Sequence, residues 1–345
     1  MENKVLKKPV VAVVGGRGFV GAEVVRALRG DGMLVRGAAI GKRIDWHVAD
    51  LECEWIYEKP EEEGALDALL EGVDGLIHCG GYRPRWGEGV DQGKARGVKD
   101  LRRVLDSCER YGVRKVVYLS SASTVQEQAP GETPGRVSDE SSYYIPGSST
   151  SPFAEVKAAM EAEVYRYVSS GLPVTIVNPG FVLGPGDVHL ENQVFLAHLV
   201  QKTGALIPRG STNVVDVRDL AGGIVGALKM GRPGRRYLLG GEEVELEDLL
   251  KQCAQLLDRE CSCRVLDPTI YERVIDLTRT RAVQWIRKGI CLEAKRLEGS
   301  WVEMARWSAS IQSDRAVAEL GYRTRSLEST LMDTVTWARR VGYLS

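Results

Sequence analysis

Gly15, Gly18 and Gly21 stand three residues apart, and Gly16, Gly18 and Gly21 also satisfy G-x-G-x-x-G. Placed at the exit of a buried strand, that spacing holds a diphosphate. The first glycine makes the tight exit, the second lets backbone N–H groups approach a pyrophosphate, and the third lets a helix pack closely on the strand. The positive end of the helix dipole then faces the phosphates. A glycine turn without a ligand has the same letters, so the flanks decide. Residues 10–14, VVAVV, form a β-branched and small apolar run suited to a strand covered on both faces. Val20, Val24 and Leu28 recur at helical spacing after the turn. Strand, turn and helix in that order favour a dinucleotide.

Other residues of chemical interest lie at expected strand ends. Lys42 and Arg43 follow an expected second strand at 33–39, and no acid appears before Asp45. A ribose 2′-hydroxyl calls for a carboxylate at that point and a 2′-phosphate for cations, so the pair leans toward NADP, with NAD still open. Residues 44–52 read as a third strand ending at Asp50-Leu51, where a carboxylate accepts from an adenine amino group. Residues 75–81, GLIHCGG, read as a fourth strand whose Cys79, Gly80 and Gly81 leave bare backbone for a cofactor. His78 lies inside it and reads as a packed histidine. Tyr82, Arg83, Arg85 and Trp86 crowd the next loop, suited to an anionic or polycyclic substrate or simply to covering the crevice edge.

The elements positioning these groups alternate strand and helix. Helices are expected at 64–70 and 94–111, a fifth strand at 114–121, a helix at 153–169 and a buried strand at 172–180. This is the pattern of an α/β doubly wound parallel sheet with right-handed crossovers. Residues 122–152, rich in Ser, Thr, Gly, Pro and Glu, are long for a connector and read as a lid or substrate loop. A helix is expected at 191–203, a strand within 213–220 returning to the sheet region, a helix at 220–230, and an edge strand at RRYLLGG. From 242 onward the reading is mainly helical. Residues 8–183, with 212–240 returning, form the dinucleotide-binding unit, and 184–211 with 241–345 a smaller, mainly helical substrate lobe.

Composition excludes several classes. With 345 residues, 43% hydrophobic and 27% charged, the chain buries a large core, and a net charge of −1 gives no general attraction to nucleic acid or anionic membrane. No apolar run of about 18 residues exists, and MENKVLKK leads into the first strand without a signal-peptide core, so the cytoplasm is the expected compartment. Seven scattered cysteines contain no C-x-x-C pair and no metal site is expected. Cys261 and Cys263 are expected on opposite faces of a strand, as structural thiols. Aromatic and basic residues around Trp285 and Trp301 suit a membrane-facing helix or, preferably, packing of the substrate lobe.

The motifs VVYLSSAST, VTIVNPGFVLGPGD, VVDVRDLAGGIVGAL and AELGYRTRSLESTLMDTVTWARRVGYL, with the glycine turn and Lys157, resemble the extended short-chain dehydrogenase/reductase superfamily along nearly the whole chain. The likeness is to the branch of dihydroflavonol 4-reductases, 3β-hydroxysteroid dehydrogenases and hopanoid-associated sugar epimerases. The resemblance implies a Rossmann lobe carrying NAD(P), held by Gly15, Arg17, Gly18, Phe19, Val20, Gly21, Lys42, Arg43, Asp50, Leu51, Cys79, Gly80, Gly81, Lys157 and Pro179. It implies that Ser121, with Thr124 as a nearby alternative, polarises a substrate oxygen, and that Lys157 holds the ribose. The family's tyrosine, four residues before the lysine, is here Phe153, and its frequent asparagine in the helix before the fifth strand is Lys94. A phenol with a pKa near 10 becomes a usable acid beside an ammonium. Phenylalanine keeps a ring against substrate and removes the proton, a loss of about 10²- to 10⁴-fold in rate unless another group substitutes. Tyr143, Tyr144 and Tyr82 are the candidates, or Ser121 relaying to water. The expected activity is an NAD(P)(H)-dependent oxidoreductase acting on a hydroxyl or carbonyl of a small, largely apolar terpenoid, steroid-like or polyketide substrate, with Tyr82, Arg83, Arg85 and Phe153 around it. A redox-neutral epimerase, dehydratase or isomerase and a non-catalytic nucleotide binder remain open, and a homodimer is compatible with the superfamily.

Overall fold

A computed structural model describes residues 8–38, 46–57, 64–82, 88–125, 137–147, 152–188, 205–261, 263–267, 270–271 and 310–344. Its centre is a parallel sheet of seven strands: β1 (Val10–Val14), β2 (Leu34–Ala38), β3 (Glu54–Ile56), β4 (Gly75–His78), β5 (Val116–Leu119), β6 (Val174–Pro179) and β10 (Arg236–Leu239). The order is β10-β6-β5-β4-β1-β2-β3. Strand order reverses between β1 and β4, which opens a crevice above their carboxyl ends.

The sheet forms because its strands are apolar on both faces. Val11 and Val13 of β1 enter one core, and Ala12 and Val14 the other. The first core is closed by α1 (Phe19–Gly30), α5 (Val217–Met230) and α7 (Asp314–Leu320). The second is closed by α2 (Ala65–Leu70), α3 (Val90–Arg110) and α4 (Pro152–Ser170). Close crossing of α3 on α4 depends on Gly97, where an added Cβ would meet Met160 Sδ at 2.9 Å.

Beyond β6 the chain builds smaller sheets. One, ordered β11-β9-β7, joins β7 (Phe181–Leu183), β9 (Ser211–Asp216) and β11 (Glu242–Glu245). The other pairs β8 (Ala205–Pro208) with β12 (Cys263–Leu266). They share a core with α6 (Leu246–Leu256) and α8 (Leu327–Arg340), through Leu183, Val214, Val244, Leu249 and Leu331.

Three expectations about elements need correction. The strand expected within 213–220 joins this three-stranded sheet, not the central one, and its Val214 packs into the core shared with α6 and α8. β11 and β12 interrupt the helical reading of the C-terminal part. Cys261 precedes β12, which begins at Cys263, so the two do not stand on opposite faces of one strand. Their thiols are hydrogen-bonded, and burial followed by the neighbouring thiol pushes Cys263 up to about 11. The helix expected at 191–203 and the segment around Trp285 and Trp301 lie outside the described residues.

Candidate active site

The glycine turn works through backbone contact. Gly15 has φ +79°, a region that favours glycine, and a Cβ there would meet Gly80 N at 2.7 Å. The exits of β1 and β4 therefore touch. Gly18 N donates to Gly15 O at 3.0 Å and Gly18 caps α1 without a side-chain hydrogen bond. Amides of the first turn of α1 are thus left for a ligand, which fits the diphosphate of a dinucleotide. Gly21 lies so close to the turn that a Cβ would sit 2.0 Å from Gly15 O. Phe19 is buried in the core behind the turn and Val20 packs against it. His47 Nε2 donates to Arg17 O at 2.9 Å, bracing the turn from the β2–β3 connection.

That connection corrects the placement of Asp50 and Leu51. They precede β3 instead of ending it. From His47 the chain runs along α1, where Asp50 lies 3.9 Å from Arg26 and Glu52 pairs with Arg29, and only then rises as β3. α1 runs away from the crevice, so Asp50 is carried toward the opposite edge of the sheet and is largely exposed. Leu51 packs on the core. Lys42, Arg43, Arg83, Arg85 and Trp86 lie outside the described residues.

The crevice floor is built from Cys79, Gly80, Gly81 and Lys157. Lys157 is 3% exposed, and its Nζ donates to Leu119 O at 3.0 Å. It lies 5.6 Å from the ring centre of Tyr118 and 5.9 Å from that of Phe153. A Cβ at Gly81 would stand 3.7 Å from Nζ, an ordinary contact distance, so the backbone of Gly81 lies directly against the amine. Burial lowers Lys157 to about 8, against the opposing pull of Glu161. Ser121, at the end of β5, accepts from Ser123 N at 3.2 Å, which fills an acceptor position and leaves its O–H proton for a substrate oxygen. Pro179 ends β6 and is paired with Leu239.

His78 is the packed histidine expected from its strand. Burial, and then Lys157, lowers it to about 4 from 6.5. The unfolded chain binds this proton first as the pH falls, so the stability is whole above about 6.5 and declines toward pH 4. The loss is on the order of 3 kcal/mol. Urea unfolding at pH 7 and pH 4 should show a smaller decline for His78→Gln than for the wild type; equal declines would refute the assignment.

Glu161 was missed by sequence reasoning as a site residue in its own right. Its carboxylate is buried and accepts from Ser120 Oγ at 2.5 Å, Thr124 Oγ1 at 2.7 Å, Asn178 Nδ2 at 2.9 Å and Arg236 Nη2. Thr124 and Asn178 also reach Ser121 O, at 2.9 and 3.1 Å. One carboxylate therefore ties α4, β6 and β10 to the turn that carries Ser121. The four donors come from three widely separated segments, and no local spacing announces them.

The tyrosines expected to replace the missing hydroxyl sit elsewhere. Tyr144 donates to Glu155 Oε1 at 2.7 Å, and Lys94 Nζ to Glu155 Oε2 at 2.6 Å. Glu155 and Lys157 are two residues apart on α4 and so project about 200° apart. Tyr143 is 62% exposed. Both tyrosines, with Lys94 and Glu155, line a pocket of about 280 Å³ whose wall also includes Thr124, Glu161 and Arg236. Tyr82 is 4% exposed and donates to Glu88 Oε2 at 2.8 Å under the Arg96 guanidinium, which makes it a core residue and not a crevice wall. The described part of the expected lid, 137–147, is strapped down. Ser138 exchanges backbone hydrogen bonds with Ser310 and Gln312, Glu140 accepts from Leu238 N, and Arg236 donates to Ser142 O.

Among the described residues no group of three or more metal-ligating side chains gathers, and no helix is long and apolar enough to cross a membrane. The family model described as "NAD dependent epimerase/dehydratase family" matches residues 11–240. The chain is 25% identical to a putative dihydroflavonol 4-reductase of Synechocystis, over 96% of this chain and 95% of that one. It is 26% identical to sterol demethylase protein B of Methylococcus capsulatus, over 96% and 99%. The crystal structure of a nucleoside-diphosphate-sugar epimerase from Pseudomonas aeruginosa is similar with a TM-score of 0.79 and 25% identity, covering 98% of this chain and 99% of that one.

Proposed function

Because the chain belongs to the NAD dependent epimerase/dehydratase family, we propose that it is an NADP(H)-preferring oxidoreductase acting on a hydroxyl or carbonyl of a small, largely apolar substrate. The observation that carries this reading is Lys157, buried at the crevice floor against the backbone of Gly81. Burying an ammonium is costly, and a fold maintains one where its charge serves a ligand. The uncapped amides after Gly18 would hold the diphosphate, and Arg17, with Lys42 and Arg43 beyond β2, would favour a 2′-phosphate. When bound, the cofactor supplies or accepts a hydride. Ser121 donates to the substrate oxygen. Lys157 keeps one N–H on Leu119 O and has two for the ribose. Phe153, half-buried beside it, offers an apolar ring. The relatives' names, with a dihydroflavonol and a sterol in them, support an apolar substrate.

Titration of the purified protein with NADPH and NADH, followed by a panel of apolar ketones, tests the proposal. NADPH is expected to bind more tightly than NADH, by about tenfold or more for a paired 2′-phosphate, and to be consumed in step with a ketone. Binding without turnover of any nicotinamide would overturn the oxidoreductase reading.

A further inference from the structure

Lys157 is a buried ammonium, yet the groups packed around it supply almost no compensating charge. Facing it from the end of β4 are Cys79, which burial pushes up to about 12, and His78, lowered to about 4. From β5 comes Tyr118, whose phenol burial raises further. All three are neutral at pH 7. Glu161, one helical turn along α4, supplies the negative charge that opposes the burial of Lys157.

We propose that Glu161 is a positioning residue for the crevice: its charge holds the proton on Lys157, and its hydrogen-bond partners fix that charge in place. The inference rests on the oxidoreductase reading for its consequence, since a neutral amine at 157 would no longer present an ammonium to a nucleotide. The geometry makes the role specific. Donors from Ser120, Thr124 and Asn178 converge on Oε2, while Arg236 holds Oε1 from β10. Such a carboxylate cannot swing to solvent without leaving buried donors unmade. Among the described residues Tyr118 and Tyr165 lie near Glu161 with phenols raised by burial, and the pocket that Glu161 lines also holds Lys94, Glu155, Tyr143 and Tyr144. Arg236 offsets part of the charge, but from the side of Glu161 that carries Oε1.

Nuclear magnetic resonance of protein labelled with ¹³C at the lysine ε-carbon, assigned with Lys157→Met, reads the proton directly and needs no nucleotide. The wild-type midpoint is expected at about 8. Glu161→Gln, which keeps the shape and loses the charge, should move it down by roughly one unit or more. Ser120→Ala removes one donor and no charge, and should leave the midpoint in place. Should Glu161→Gln fail to fold because Arg236 is left unpaired, the double variant Glu161→Gln/Arg236→Gln removes both charges and should shift in the same direction. An unmoved midpoint in the glutamine variants, or an equal shift in Ser120→Ala, would overturn the inference. Failure of NADPH to bind the wild type would instead overturn the functional reading and leave this titration interpretable.

Discussion

Gly21→Ala should abolish nucleotide binding while leaving most of the sheet intact. The added Cβ would stand 2.0 Å from Gly15 O, 2.7 Å from its carbonyl carbon and 2.8 Å from Gly16 Cα. These are backbone atoms, so no side-chain rotation relieves the clash. Either α1 lifts away from β1 or the turn moves. The turn is also pinned from below, since Gly15 contacts Gly80 and Gly18 N donates to Gly15 O. Lifting α1 breaks its packing through Val24, Val25 and Leu28, all fully buried. Overpacking of this kind costs about 1–3 kcal/mol, within the few kcal/mol that a folded domain can lose. The expected result is a protein with near-native circular dichroism, a lowered melting temperature and NADPH affinity reduced at least about a hundredfold by the displaced amides. Retention of wild-type NADPH affinity would show that the diphosphate does not rest on this turn. Gly30→Ala, at a position with open space around a Cβ, serves as the control.

The same turn marks the boundary of what the sequence discloses. Glycine spacing, a strand before and a helix after are local properties, and the strand, turn and helix stand where they indicate. The central strands were legible because a parallel sheet buried on both faces requires continuous β-branched runs such as VVAVV and VVYL. The misplaced third strand shows where locality ends. IDWHVADLE has strand-like composition, but residues 47–52 descend along α1 through the Arg26–Asp50 and Arg29–Glu52 pairs, and the strand begins only at Glu54. Helix facing was the second limit. Tyr143 and Tyr144 lie shortly before α4 in sequence, yet Glu155 draws Tyr144 to the face turned away from Lys157. From sequence Tyr82 reads as a crevice-edge residue, because its partners Glu88 and Arg96 carry no motif. Glu161 is the clearest case: its placement one turn from Lys157 was visible, whereas its donors converge from residues 120, 124, 178 and 236 only in the folded chain.

Phe153→Tyr is the substitution with the largest expected gain. The ring at 153 is half-buried and already 5.9 Å from Lys157 Nζ, close enough for the ammonium to favour a phenolate. Among the described residues no other phenol is placed to do this. Tyr118, although 5.6 Å from the amine, is fully buried, and its raised phenol holds its proton. A new hydroxyl at 153 would provide the acid that the crevice lacks, and a positioned general acid typically contributes about 10²- to 10⁴-fold. Ketone turnover should therefore rise at least about a hundredfold, with little change in KM because the ring itself is retained. The rate should also acquire a titration whose midpoint lies below the phenol's usual value near 10. Steady-state kinetics across pH 6–10 check both. A variant no faster than the wild type would place the proton source elsewhere, and a slower one would show that the phenylalanine belongs to a different reaction. The comparison also separates Phe153 from Lys157: in Phe153→Tyr/Lys157→Met the gain should vanish, because the phenol then loses the charge that makes it acidic.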